Sequence, residues 1–66
     1  MDTLEKALIR LDHWIHHNEH HQEEYELFAD QLDKEGKKEC GDMVRKAAEL
    51  TSQGTDALRK ALEILK

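Results

Sequence analysis

The chain has 66 residues and a formal net charge of −5, which makes it a poor partner for the phosphates of nucleic acid, and no apolar run approaches the length of a membrane span. A chain this short usually needs a disulfide, a metal ion or a partner chain to fold stably, and its single cysteine excludes an internal disulfide. We therefore expect one soluble, cytoplasmic domain over residues 1–66 that binds a metal ion, a second copy of itself, or both.

The first predicted element is a helix over residues 3–35. Asp2 followed by Glu5 resembles an N-terminal capping pair, and the chain contains no proline. Steps of four and three alternate along one stripe of this segment, which is the heptad pattern of a packed helix: Leu4, Leu8, Leu11, Ile15, Asn18, Gln22, Tyr25, Ala29, Leu32. A flanking row repeats every seven residues: Ala7, Trp14, His21, Phe28.

Asn18 is the weak point of this helix, because asparagine can end one helix and cap the next. A break there would give a three-helix bundle with helices near 3–17, 19–35 and 39–65. The stripe keeps its phase across Asn18, whereas a loop would normally reset it, so the pattern favours the unbroken helix.

A second helix is predicted over residues 38–65, after a turn at Gly36. Two heptad rows run along it, one reading Met43, Ala47, Leu50, Gly54, Ala57, Ala61, Ile64 and the other Val44, Ala48, Thr51, Thr55, Leu58, Leu62, Leu65. The fold class is therefore all-α, an antiparallel helical hairpin, and we expect Asn18 to face Gly54 and His21 to face Thr51. Both helices have apolar faces wider than one partner helix covers, so we expect two hairpins to form a homodimeric four-helix bundle.

All five histidines lie within nine residues of the first helix, and they carry the most specific chemical signal in the chain. Residues four apart lie one above the other on a helix, so His13, His17 and His21 form a row, and Glu24 follows one turn later. Imidazole and carboxylate suit a divalent transition metal, Ni or Zn above all and also Co or Cu. The predicted metal ligands are His13, His17, His21 and Glu24, with His16 and His20 as weaker candidates.

Two other interpretations stay open beside metal binding. His21 lies on the apolar flank and could be a core histidine that bonds Thr51 or Asn18. The whole chain could be a structural or protein-interaction module with incidental histidines. We expect no enzyme, because a thin helical bundle offers little volume for a water-excluding pocket.

The run 11–21 resembles the opening of a small, uncharacterised helical family whose hallmark reads His-Trp-Ile-x-His-Asn-x-x-His, followed by acidic and aromatic residues. The matching positions are His13, Trp14, Ile15, His17, Asn18, His21, Glu23, Glu24 and Tyr25. Some members of that family are associated with nickel or cobalt handling, so the resemblance implies metal binding.

Overall fold

A computed structural model describes residues 2–66 of the chain; Met1, the first residue of the expected domain, lies outside this range. It contains two helices, α1 (Thr3–Lys34) and α2 (Lys38–Leu65), which pack against each other along a body 51 Å long. No strand occurs within residues 2–66. The predicted all-α helical hairpin is confirmed.

Short-range hydrogen bonds fix both ends of α1. At its start, the Asp2 carboxylate accepts a hydrogen bond from the Glu5 backbone N–H at 2.8 Å, as the capping pattern predicted. At its end, Gly36 has a φ of 77°, a left-handed conformation that glycine adopts without strain. The backbone N–H groups of Gly36 and Lys37 then donate to the carbonyls of Asp33 and Leu32. This Schellman motif reverses the chain into α2.

Asn18 does not interrupt α1, which is helical without a break from Thr3 to Lys34. The three-helix alternative is therefore wrong. The packing between the helices, which we call the seam, explains why α1 is continuous. Ile15, on one side of Asn18, and Ala29, further along on the other side, are both buried against α2, so one continuous face of α1 packs along its length. A loop at Asn18 would have turned that face away from α2.

The row on α2 that faces α1 is the one that contains Ala48 and Thr55, which are 3% and 1% exposed. The Thr55 hydroxyl is satisfied by donating to the Thr51 carbonyl at 2.8 Å. Gly54 lies outside the seam, and a Cβ built on it would meet nothing within 4 Å. The expected pairing of Asn18 with Gly54 is therefore wrong.

The two helices approach each other closely at Gly41, near the turn. A Cβ placed there would lie 3.0 Å from the Ala29 carbonyl oxygen and 2.5 Å from Asp33 Oδ1. Glycine at this position lets the Ala48 row meet α1 closely, and it rotates the other row of α2 outward.

Ion pairs join the helices along one edge of the hairpin. Arg59 pairs with Glu19, and Arg45 pairs with Asp33 and, at 3.0 Å, with Asp30. The hydrogen bond from Arg59 holds the pKa of Glu19 below its ordinary value, and Arg45 does the same to the pKa of Asp33. The Asp33 carboxylate in turn raises the pKa of Arg45.

Exposed apolar side chains lie outside the seam on both helices. We call the flanking row of α1 and the outward row of α2 together the apolar face: Ala7, Trp14, His21, Phe28, Met43, Ala47, Leu50, Gly54, Ala57, Ala61 and Ile64. None of these residues is acidic, lysine or arginine, in a chain that is 38% charged. Met43, Leu50 and Ile64 are 66%, 57% and 85% exposed.

Neither helix has a segment, within residues 2–66, that is long and apolar enough to cross a membrane.

Candidate metal site

The predicted histidine row exists on α1, and its rings stack on one another. The centroids of the His13 and His17 rings are 5.9 Å apart, and those of His17 and His21 are 4.4 Å apart with the rings nearly perpendicular. The row continues to Tyr25, whose ring lies 6.1 Å from that of His21. Tyr25 was predicted as a seam residue and as part of the family hallmark, and its spacing of four from His21 also signals this contact.

The shortest contact in the row joins the Nε2 atoms of His17 and His21, which are 2.9 Å apart. At this distance one Nε2 carries a proton and donates it to the lone pair of the other. Two imidazole nitrogens thus point at the same small region of space, on the surface of one helix.

Glu24 decides which protons the pair carries. Its carboxylate oxygen Oε1 lies 3.3 Å from Nδ1 of His21, on the far side of that ring from His17. A neutral His21 that donates from Nδ1–H to Glu24 keeps the Nε2 lone pair free, and His17 is then the donor. In this arrangement Glu24 orients His21, as second-shell carboxylates orient metal-bound histidines.

The distance between the two Nε2 atoms fits a shared metal ion. Zinc–imidazole bonds are about 2.0–2.1 Å long, so two cis ligands at a right angle place their nitrogens about 2.9 Å apart, and tetrahedral ligands about 3.4 Å apart. The observed 2.9 Å matches the first value and is within a small ring rotation of the second. An ion that replaced the shared proton would lie to one side of the line between the two Nε2 atoms, and both rings would turn toward it.

The weaker candidates are arranged differently. His16 contacts two carboxylates, Asp12 at 3.5 Å and Glu19 at 3.2 Å, and thereby joins the ion-paired edge of the hairpin. His20 is exposed on the outer surface of α1. Within residues 2–66, no three His, Cys, Asp or Glu side chains are arranged to hold a metal ion together. The structure thus brings together two of the four predicted ligands, His17 and His21, with Glu24 behind them and His13 stacked alongside.

His21 sits at the border between the histidine row and the apolar face. Its side chain is 42% exposed, so it is not a core histidine, and its ring nitrogens contact His17 and Glu24 instead of Thr51 or Asn18. Any partner that covers the apolar face would therefore also reach this imidazole.

Comparison with known proteins gives a family for the chain. The family model for a domain of unknown function (DUF8180) matches residues 3–65, which span both helices, and the chain belongs to this family. No curated protein and no solved structure shows significant similarity to it.

Proposed function

We propose that this member of the DUF8180 family is a non-enzymatic cytoplasmic protein that binds a divalent transition metal, Ni²⁺ or Zn²⁺, through His17 and His21. The observation that carries the proposal is the 2.9 Å approach of the two Nε2 atoms. It supplies two preorganised nitrogen ligands on a rigid helix, so binding requires little ordering of side chains.

The donor chemistry favours these metals over alkaline-earth ions. Neutral imidazole suits Zn, Ni, Cu and Co, whereas Ca²⁺ and Mg²⁺ prefer oxygen ligands. His13 is the next donor in the row, and the ring of its neighbour His17 is 5.9 Å away. Glu24 contributes by orienting the His21 ring or, after rotation of its side chain, by binding the metal ion through a carboxylate oxygen.

Binding without catalysis follows from where the pair lies. The hairpin is only 17 Å by 11 Å in cross-section, and the pair stands on its outer surface, so the chain itself encloses no cavity around this pair. Hydrolytic metal enzymes instead hold the ion in a shaped, water-excluding cavity.

Isothermal titration with Ni²⁺ and Zn²⁺ at pH 7.5 tests the proposal. Wild type should bind with a dissociation constant below about 100 µM, and a His17→Ala/His21→Ala double variant should lose that binding. The matched control is His16→Ala/His20→Ala, which removes two histidines of the same spacing and should bind as wild type does. Wild-type binding weaker than about 100 µM, or unchanged in the first double variant, would remove the proposal.

The second candidate function is a structural module that forms a homodimer or docks a protein partner, with incidental histidines. Its support is the exposed apolar face, on which Leu50 and Ile64 are 57% and 85% exposed. Thermal unfolding at pH 7.5, with and without a chelator, separates the two functions. A midpoint that neither metal nor chelator moves favours this second candidate.

A further inference from the structure

We propose that two copies of the chain pair through their apolar faces, and that their two His17–His21 pairs together bind one metal ion at the dimer axis. This inference rests on the proposed function and deepens it, because the second copy completes the metal site.

The single hairpin exposes too much surface for its mass. It has 5260 Å² of accessible surface. A compact monomer of 7.7 kDa is expected to expose about 4,300 Å², so the excess is roughly 900 Å² per chain. A standard protein–protein interface buries about 800 Å² on each partner. The excess therefore equals what one such interface would cover.

The character of the apolar face favours a second copy over a different protein. In a twofold-symmetric interface every residue of the patch belongs to both sides, so charges of one sign tend to meet their own copies. The residues of the apolar face are themselves uncharged, and the charges at its border are of both signs: Arg10 lies over the Trp14 ring at 6.0 Å, and Glu24 contacts His21. The remaining charges are concentrated elsewhere, in part on the ion-paired edge.

The outward row of α2 can pair with the same row of a second copy that runs in the opposite direction. The two copies then cross at residue 52, the middle of the helix. In that antiparallel pairing Leu50 of one copy lies opposite Gly54 of the other, Met43 lies opposite Ala61, and Ala47 lies opposite Ala57. In two of these pairs, Leu50 with Gly54 and Met43 with Ala61, a large residue meets a small one, which is how facing helices interdigitate. Gly54 has the open space this requires, since a Cβ there would meet nothing within 4 Å.

The flanking row of α1 has the same symmetry about His21. Inverting the row places Trp14 of one copy opposite Phe28 of the other and His21 opposite its own copy. Gly41 packs against Ala29 and Asp33, so residue 52, which is 11 positions further along α2, lies at the level of residue 20. The midpoints of the two rows, residue 52 on α2 and residue 21 on α1, therefore lie within about one residue of the same level along the hairpin. A single twofold axis perpendicular to the helices relates both rows to their copies in the second chain.

This axis brings the histidine pairs of the two copies together. His21 lies on the axis, and His17 lies one turn away, about 6 Å along the helix. Each copy thus places one imidazole at the axis and a second imidazole one turn from it. One chain provides two converging nitrogens, and within residues 2–66 it groups no third donor with them. Tight zinc sites generally use three or four protein ligands, and the second copy supplies the missing two.

Sedimentation equilibrium and native mass spectrometry, with Ni²⁺ and with EDTA, test the inference on wild type and two variants. Gly54→Leu fills the space that Leu50 of the second copy needs and leaves the hairpin itself unobstructed. We expect this variant to stay helical by circular dichroism, to sediment as a monomer, and to bind Ni²⁺ at least about tenfold more weakly. Glu49→Leu adds the same side chain at an exposed position whose neighbours three and four residues away lie outside the apolar face, and it should behave as wild type does.

Wild type should form a dimer that holds one ion per two chains. A wild-type monomer with one ion per chain, or a Gly54→Leu variant that binds Ni²⁺ as tightly as wild type, would overturn the shared site and leave the proposed function standing. A wild type that binds no ion would overturn the proposed function, and the shared site with it.

Discussion

At the scale of single residues, the contact between Glu24 and His21 controls the metal chemistry we propose. Glu24 lies 3.3 Å from Nδ1 of His21, so it favours the tautomer that leaves Nε2 free. We expect Glu24→Ala to weaken Zn²⁺ binding by about tenfold, as losses of orienting partners generally do. Isothermal titration measures this effect. Glu23→Ala removes the same charge from the neighbouring position and should have little effect; equal weakening in both variants would show that only net charge matters.

A second residue-scale prediction concerns the tight contact at Gly41. Alanine at this position would place a methyl group 2.5 Å from Asp33 Oδ1 and 3.0 Å from the Ala29 carbonyl. We expect Gly41→Ala to lower the free energy of unfolding by about 1–3 kcal/mol, because the helices must separate to admit the methyl group. Urea unfolding at fixed protein concentration measures the change. The exposed neighbour is the control: Cys40→Ala should unfold at the wild-type midpoint.

The sequence predicts part of this residue-scale picture. The spacing of four places His13, His17 and His21 in one row, and the structure shows that row. It does not predict that the Nε2 atoms of His17 and His21 meet or that Glu24 faces Nδ1, because both depend on side-chain torsions that spacing leaves free.

At the scale of the elements, the hydrogen bond between Arg45 of α2 and Asp33 of α1 makes the hairpin sensitive to acid. Arg45 lowers the pKa of Asp33 below its ordinary value of 3.8. A carboxylate whose pKa is lower in the folded chain stabilises the fold above about pH 4, and this stabilisation is lost as the pH falls through the folded pKa.

We therefore expect Asp33→Asn to lower the thermal unfolding midpoint at pH 7, and the gap to wild type to narrow below about pH 4, as the pH falls toward the lowered pKa of Asp33 in the folded chain. Circular dichroism between pH 7 and 2 measures both midpoints. Glu63→Gln, which removes an exposed carboxylate from the other end of α2, should follow the wild-type curve throughout. A constant gap between Asp33→Asn and wild type down to pH 2 would contradict the assigned role of the ion pair.

The elements themselves were largely predictable, and the packing of α2 was not. The unbroken phase of the heptad stripe through Asn18 predicts a continuous α1, and the structure confirms it. On α2, two rows have similar heptad spacing, so the pattern alone cannot choose between them. The close approach at Gly41 determines which of the two rows faces α1. This is a contact between residues of different helices, so the periodicity within one helix cannot predict it.

At the scale of the whole molecule, the hairpin has two surfaces of different character, one with ion pairs and one apolar. The ion-paired edge, with Glu19, Asp33, Arg45 and Arg59, joins α1 to α2 within one chain. The apolar face has no partner among residues 2–66 of the same chain. Among residues 2–66, only Ile15, Ala29 and Ala48 are buried apolar residues, which is a small core for a chain of this length. A second copy and a shared ion would supply the stabilisation that this core does not.

X-ray absorption spectroscopy at the zinc edge of the Zn²⁺-loaded protein tests the central claim most directly, because it counts the imidazoles around the ion. We predict about four imidazole nitrogens at about 2.0–2.1 Å, with one ion per two chains, and loss of this signal in His17→Ala/His21→Ala. A first shell of two imidazoles and water at one ion per chain would contradict the shared site. A spectrum that the double variant leaves unchanged would contradict the histidine pair itself.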